Sequence, residues 1–520
     1  MFRLKWFFLF FLMTTVLFSQ NGFAEDAGFY LKEDSSGGLG VPTLKNIRLI
    51  LPSDLGHVSF FGRNRTRYEA WDYFRSTTDN HYDLFANQLR LGTKWIHELF
   101  NVNATWQYTQ LFNVPTHTSA GAGSGALYYS NSLRRDPHGM FMKYLNIEIK
   151  NPLRLGPMRM LKIPPAYNLV TLGRFNYSSG NEMKSDDKKI DWLKSQRIGD
   201  RLIGSFEWSH YGRSFDGAKA VYGNKLAQVE VAGFSPTQGG FEEMGQRHIQ
   251  DIGIIAVEAN LKKDQLIPGM EEQFFYYGYD DHRVIAATTT RFDNTARTIR
   301  AGSESDIEMH TFGGHMVGDY KVGPGVWDIL GWAAVQTGTW YDLDQHAYAF
   351  AVETGYQWNE LPWKPWLRGG INYGSGDDNS TDGKHGTFFQ MLPTSRIYSS
   401  SVLYNMMNTE DIFVSLILKP RDNLTLRPEY HHVNLAEKND RWYVGSGAMH
   451  TNISDDYAVR SSNGASDLGH LVDMGVSWAI NPDMTLSGYY GHFFGEDVIR
   501  RFYAKRQAND LGYVELVVNF

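Results

Sequence analysis

The stretch FFGRNRTRYEAW, residues 60–71, places Arg63, Arg65 and Arg67 at alternate positions and follows them with Glu69. Because a β-strand sends successive side chains to opposite faces, the stretch predicts one charged face and one largely apolar face that includes Tyr68. In a soluble sheet the apolar face would be the core. In a membrane barrel it would face lipid, and the arginines would line a water-filled lumen.

The same two-residue period recurs along the chain, in residues 85–96, 102–110, 143–149, 348–358 and 471–480. Compact breaks fall at 361–365, 419–423 and 480–483, whereas long polar tracts cover 113–138, 178–200, 375–410 and 435–467. The alternating segments number about eighteen. We therefore expect an all-β protein, a transmembrane antiparallel β-barrel of about 18 strands with short periplasmic turns and long extracellular loops.

The first residues predict export. Arg3 and Lys5 precede an apolar run from Trp6 to Phe18, and small residues stand before Glu25. This pattern is typical of a signal peptide, residues 1–24, and the run is shorter than the ~20 residues that a retained anchor helix needs. No comparable run follows, which argues against helical membrane spans. We expect an approach segment at 25–51, a barrel at 52–520, and a place in the bacterial outer membrane.

Composition agrees with this class. The chain has no cysteine, so neither disulfides nor thiolate metal sites support it. Aromatic residues make up 14%, as interfacial girdles require, and the formal charge of −7 argues against nucleic acid as a partner. The chain ends on an alternating strand closed by Phe520, which is typical of outer-membrane barrels. The alternative is an edge strand of a secreted soluble β protein.

The positions opposite the apolar ones are predicted to line the lumen, and most of the charged ones are basic. They are Arg63, Arg65, Arg67, Arg90, Lys94, Arg174, Arg201, Arg368, Arg427 and Glu429. Clustered positive charge concentrates anions, and the guanidinium fork suits carboxylates. The competing interpretation is that the arginines brace the wall by pairing with acids. The candidates are Glu69, Glu148, Glu207, Asp216, Glu353 and Glu429.

Three blocks of the sequence resemble the alginate export family of outer-membrane proteins: LVTLGRFNY at 169–177, RLIGSFEWSHYGRSFDGAKA at 201–220 and YGSGDDNSTDGKHGTFFQMLPTSRIY at 373–398. NLTLRPEYHHVNLA and SGYYGHFFGED are similar to its C-terminal part. The resemblance implies an 18-stranded barrel that passively exports an acidic polysaccharide, such as alginate, through an arginine-rich constriction. Arg174, Arg201, Arg213 and Asp216 are the positions that it assigns to the constriction or the lining.

The expected function is therefore a channel and not an enzyme, with no cofactor. Its partners would be an anionic polysaccharide or organic-acid cargo, outer-membrane lipid and periplasmic export machinery. Two alternatives stay open: an uptake porin for small organic acids, and an outer-membrane hydrolase that uses histidine and acidic residues at the barrel rim.

No metal site is expected. Asp377, Asp378 and Asp382 are a weak calcium candidate, because the loop lacks the spacing and terminal glutamate of an EF-hand and reads better as a solvated loop. On a strand, His431 shares a face with Glu429 while His432 points away. The two histidines therefore cannot both serve one centre directly, and a structural or lining role is favoured.

Overall fold

The computed structural model describes residues 30–33, 47–51, 55–119, 121–154, 167–286, 289–290, 292–295, 297–394, 398–444, 447–451 and 459–520. The predicted signal peptide, residues 1–24, lies outside them. The strands are β1 Tyr30–Glu33, β2 Ile47–Ile50, β3 His57–Asp72, β4 His81–Ile96, β5 Phe100–Phe112, β6 His138–Lys150, β7 Tyr167–Phe175, β8 Phe215–Gly223, β9 Ala227–Pro236, β10 Ile252–Leu261, β11 Met270–Asp281, β12 Thr289–Thr290, β13 Thr298–Ile299, β14 Ile307–Val322, β15 Gly325–Trp340, β16 Leu343–Trp358, β17 Trp366–Gly374, β18 Lys384–His385, β19 Thr409–Arg421, β20 Leu424–Asn434, β21 Arg441–Tyr443, β22 Val459–Ser461, β23 Asp467–Asn481, β24 Met484–Gly495 and β25 Ala508–Asn519.

Eighteen of these strands form a closed antiparallel barrel, which confirms the predicted fold class and strand number. Each barrel strand pairs with the next one along the chain, and β25 returns to pair with β3 from Asp510 opposite Asp72 to Asn519 opposite Arg63. The seam continues one residue further, because Gly62 and Phe520 exchange backbone hydrogen bonds of 2.6 and 2.9 Å. A Cβ at Gly62 would lie 2.2 Å from the Phe520 ring, so glycine leaves room for the terminal aromatic.

The distribution of side chains is inverted relative to a soluble sheet. Tyr68 and Val352 are 47% and 51% exposed on the outer surface, whereas Arg67 and Glu353 on the same strands are 1% and 0% exposed inside. An apolar outer surface with a charged interior is the pattern of a lipid-embedded barrel. The protein is therefore an outer-membrane β-barrel, as the alternation predicted.

The connections are unequal at the two ends of the barrel. At one end, β14–β15, β19–β20 and β23–β24 are joined by two-residue turns. At the other end, the connections over residues 113–137, 176–214, 375–408 and 435–466 are long, as the polar tracts predicted. Outer-membrane barrels place the short turns at the periplasmic side, so the long loops are extracellular. The chain reaches β3 and leaves β25 at the short-turn end.

In the described part of the chain, three short helices lie in the extracellular connections, at Gly123–Ser132, Lys188–Leu193 and Asp497–Phe502, and a π-helical turn, Lys194–Ile198, follows the second. A 3-10 turn covers Pro152–Arg154. Among the described residues, none of the helices has the length and apolar character of a membrane span. Of the predicted approach segment, β1 and β2 form a short antiparallel pair, and β2 also pairs with β3.

Candidate functional site

The loop between β7 and β8, residues 176–214, enters the lumen and is held there by the arginines of β3. Arg65 donates hydrogen bonds to the carbonyl oxygens of Glu207, Trp208 and Ser209 at 2.7, 2.8 and 3.0 Å. Arg67 donates to the Trp208 carbonyl at 2.7 Å and lies 4.5 Å above the Trp208 ring. We call residues 176–214 the lumen loop. Two of the three alternating arginines of β3 thus bind its backbone through hydrogen bonds.

Polar side chains of the next strands complete this attachment. The Gln107 amide donates to the carbonyl oxygens of His210 and Tyr211 at 3.0 and 2.9 Å, and the Thr109 hydroxyl donates to that of His210 at 2.9 Å. Arg90 holds the Glu207 carboxylate at 2.8 Å. Burial, together with the charges of nearby arginines, holds the pKa of His210 well below its usual range, so this imidazole is neutral.

The other half of the lumen loop reaches the opposite wall. Lys189 pairs with Asp328 on β15 at 3.1 Å, and Arg197 pairs with Glu353 on β16 at 2.9 Å. Arg201 donates to the Asn372 side chain on β17 at 3.1 Å. The loop is therefore anchored both to β3–β5 and to β15–β17. Because inward side chains on both walls are buried beneath it, the lumen loop narrows the channel at this level.

All six acids that the sequence predicted as candidate partners of the arginines form ion pairs with cationic residues. The pairs are Arg67–Glu69 at 2.8 Å, Arg90–Glu207 at 2.8 Å, Lys94–Glu148 at 3.6 Å, Arg174–Asp216 at 2.7 Å, Arg368–Glu353 at 2.9 Å and Arg427–Glu429 at 3.1 Å. Arg65 pairs with Glu515 at 2.6 Å. Most of the predicted lining arginines therefore have a structural partner.

The predicted lining residues separate into two groups by solvent contact. Six are buried: Arg65, Arg67, Arg90, Arg201, Arg213 and Arg368. Others face water in part, since the side chains of Lys94, Arg174 and Arg427 are 38%, 18% and 28% exposed. Arg63 also belongs to this group. The first group is enclosed in the lumen loop and the wall, whereas the second is in contact with water.

Arg63 differs from its two neighbours on β3. It stands opposite Arg90 in the β3–β4 register and close to Arg65, in reach of the charges of Glu207 and Glu515. Within the described chain, Arg63 forms neither a hydrogen bond nor an ion pair at contact distance. The carboxylates of Glu515 and Glu207 pair with Arg65 and Arg90 instead. It is the cation of the β3 set that remains available to a solute.

Several site residues were missed by sequence reasoning. Asp328 lies on the inward face of β15, so strand parity could have found it. Lys189 and Arg197 lie in the lumen loop, where no periodic pattern marks them. The calcium candidates do not converge: among the described residues, the three-membered group of histidine and acid ligands is Glu429, His431 and Asp473. Asp377 is buried, while Asp378 and Asp382 are exposed.

Because of two buried carboxyl groups, we expect the stability of the extracellular loops to depend on pH. Burial raises the pKa of Asp377 to about 6 and that of Asp440 to about 6, from ordinary values of 3.8. The folded loops therefore bind these protons more strongly than the unfolded loops do, and they gain stability as the pH falls from above 6 towards 4. Hydrogen exchange in residues 375–394, corrected for intrinsic rates, should be slower at pH 5 than at pH 7.5.

Asp377→Asn is the control for this pH effect. It keeps the side-chain oxygen that accepts from the Asn379 N–H at 3.1 Å but removes one of the two protonation events. We expect the variant to lose about half of the pH dependence. Equal protection of residues 375–394 at the two pH values in the unmodified protein would contradict the assignment.

Comparison with known proteins agrees with this geometry. The model of the alginate export family matches residues 192–513, which is more than half of the chain. Among solved structures, the outer membrane protein OpdK from Pseudomonas aeruginosa superposes with a TM-score of 0.50 at 8% identity, over 89% of this chain and 99% of its own. OpdK with vanillate, also from Pseudomonas aeruginosa, gives a TM-score of 0.50 at 8% identity, over 89% and 98%. No curated protein matches the sequence at a significant level.

At 8% identity the likeness to OpdK shows the fold alone, an outer-membrane barrel. The family match is independent of it and covers the second half of the lumen loop together with every barrel strand from β8 to most of β25. The family and the fold are those of outer-membrane channels. The chain belongs to the alginate export family.

Proposed function

We propose that this protein is a channel for the passive export of an anionic polysaccharide of the alginate type. The observation that carries the proposal is Arg63, which faces the lumen with no hydrogen-bonding or ion-pairing partner at contact distance in the described chain. A cation that has no ion-pairing partner at contact distance in a narrow lumen attracts anions and lowers their barrier to entry.

The position of this cation suits a passage that begins in the periplasm. Lys94 lies near the short-turn end of β4, and Arg63 lies further along the wall, opposite Arg90. Lys94 holds Glu148 only loosely, at 3.6 Å. A carboxylate that enters from the short-turn end thus meets Lys94 and then Arg63 before it reaches the lumen loop. Sites that are weak and successive favour transport, because a solute must also leave.

Uptake of small organic acids is the second candidate. OpdK, which shares the fold, has been solved with the carboxylate vanillate. The same cations would attract such a solute as well as a uronate chain, because both present carboxylates to guanidinium groups. Charge therefore supports an anionic cargo in both cases, and the length of the preferred anion separates the two candidates.

Replacement of Arg63 by serine tests the charge argument. We expect the reversal potential in a planar bilayer under a salt gradient to show anion preference for the unmodified channel. Arg63→Ser should lower the anion-to-cation permeability ratio by about twofold, because one positive charge without a contact partner is lost from the lumen. Arg75→Ser is the control, since Arg75 pairs with Asp79 at 2.8 Å in an exposed loop. A cation-selective unmodified channel would refute the proposal.

Current block by uronate oligomers of increasing length tests the cargo. Export of a polymer predicts that the time for which one oligomer blocks the channel grows with its length, because more carboxylates engage Lys94, Arg63 and Arg174 together. Small aromatic and aliphatic carboxylates are the comparison. Stronger block by these monomers than by any uronate oligomer would favour the uptake candidate.

A further inference from the structure

Glu429, His431 and Asp473 form a compact group on the inner wall, away from the β3 arginines. Glu429 and His431 are two residues apart on β20 and so share its inward face, and Asp473 stands opposite Glu429 on β23. One ligand-capable atom from each of the three lies within 4.8 Å of the others. His431 and His432 separate as strand parity predicted, since their side chains are 0% and 36% exposed.

Two polar atoms of this group are buried without a partner among the described residues. They are Nε2 of His431 and Oδ1 of Asp473. The other atom of each side chain is occupied, because His431 Nδ1 contacts Asp411 Oδ1 at 2.8 Å and Asp473 Oδ2 accepts from the Tyr489 hydroxyl at 2.7 Å. A buried polar atom that lacks a partner costs free energy, so two of them in one group favour the binding of a ligand there.

The surroundings orient these side chains for such a ligand. A carboxylate that accepts from Nδ1–H of an imidazole fixes the tautomer and leaves the Nε2 lone pair available, and this arrangement accompanies metal-bound histidines. Asp411 fills that position here, and the Asn372 amide holds Asp411 in turn at 3.1 Å. Tyr404, from the loop of residues 375–408, contacts His431 Nδ1 at 3.3 Å.

We propose that Glu429, His431 and Asp473 bind one divalent transition-metal ion of the Zn²⁺ type, through Nε2 of the histidine and one oxygen from each carboxylate. One imidazole and two carboxylates suit Zn²⁺, whereas Ca²⁺ and Mg²⁺ prefer oxygen ligands alone. Three protein ligands leave a fourth position for water or for a cargo carboxylate.

The ion would have a function that the ligands alone cannot have. Glu429 and Asp473 place negative charge on the wall of a lumen that is proposed to carry anions, and Arg427 offsets only part of it, by its contact with Glu429 at 3.1 Å. A bound dication neutralises both carboxylates. The site would therefore set the charge of this part of the lumen. It does not depend on the identity of the cargo.

Metal binding by the full-length folded protein tests the proposal. The protein is stripped with a chelator, dialysed against Zn²⁺ and analysed for bound metal. We expect one tightly held Zn²⁺ per chain. His431→Gln and Asp473→Asn should each lower its affinity by tenfold or more. Asp411→Asn should also lower it, by about 10- to 100-fold, because the oriented tautomer is lost. His432→Gln, one residue away on the outer face, is the matched control and should change nothing.

Co²⁺ provides a second measurement that needs no variant. Bound at a site with one imidazole and two carboxylates, Co²⁺ should give visible absorption bands that Zn²⁺ abolishes by competition, and the anion-to-cation permeability ratio should fall when the ion is removed. Heat-modifiable migration on gels shows whether each variant is folded. Absence of retained Zn²⁺ in the unmodified protein, or loss of binding in His432→Gln but not in His431→Gln, would overturn the assignment and leave the three residues as an ion-paired cluster.

Discussion

Replacing the lumen loop with a short glycine–serine turn is expected to raise the single-channel conductance by about threefold or more, because 18-stranded barrels leave an aqueous channel when nothing fills them. The barrel should close without the loop, since Phe175 and Phe215 are direct partners in the β7–β8 register and a short turn can join them. Arg65 and Arg67 would then face water, where they need no loop carbonyl. Conductance in planar bilayers measures the effect.

Shortening an extracellular loop whose described contacts outside its own strands lie with its neighbours in the barrel, residues 72–76 and 460–468, is the control. The connection between β24 and β25, residues 496–507, serves this purpose and should leave conductance nearly unchanged. Heat-modifiable migration should be retained in both deletions. An unchanged conductance after removal of residues 176–214 would show that the solute path does not pass beside the lumen loop.

The alternation that recurs along the chain, together with the unequal breaks between its segments, predicted the barrel, and the inward direction of Arg63, Arg65 and Arg67 then followed from residues 60–71. A strand exposes each residue to one of two environments, so parity alone assigns a face. The same reasoning correctly separated His431 from His432. The predicted strand number was also right, because each strand carries its own alternating pattern and its own break.

The roles of the arginines were less predictable than their directions. Arg65 and Arg67 bind backbone carbonyls of residues 207–209, more than 140 positions away. Because every residue has a backbone carbonyl, the sequence does not show which carbonyls these side chains bind. Arg197 and Glu353 are equally remote from each other. Asp473 joins Glu429 only through the pairing of β20 with β23, across a long loop. Contacts of this kind depend on register and loop path, which periodicity does not encode.

The largest expected loss of stability comes from Glu353. This carboxylate is fully buried and accepts from Arg197 at 2.9 Å and from Arg368 at 2.9 Å, and Arg201 lies 4.0 Å away. Glu353→Gln removes the carboxylate that the buried guanidinium groups of Arg197, Arg201 and Arg368 share. Removal of one partner from a buried ion pair costs about 3–5 kcal/mol, because the other charge stays desolvated. The temperature of the heat-modifiable gel transition should fall accordingly.

The loss should also be visible in the lumen loop itself. Once Arg197 loses Glu353, the segment from the Lys188–Leu193 helix to Arg201 keeps fewer ties to the β15–β17 wall, and trypsin added from outside should cleave it faster. Glu308→Gln is the matched control, because this carboxylate lies on the outer face of β14 with its side chain 58% exposed, and its loss should cost less than about 0.5 kcal/mol.

A double-mutant cycle separates the interaction energy of the Arg197–Glu353 ion pair from the other effects of each substitution, such as lost packing. The variant that combines Glu353→Gln with Arg197→Gln also removes the cation that loses its partner. The free energy of unfolding that it loses should therefore be smaller than the sum of the two single losses. Arg368 retains its contact with Asp328, which limits the damage to the wall. Strict additivity would mean that Arg197 and Glu353 stabilise the protein independently, and that their ion pair does not hold the lumen loop to β16.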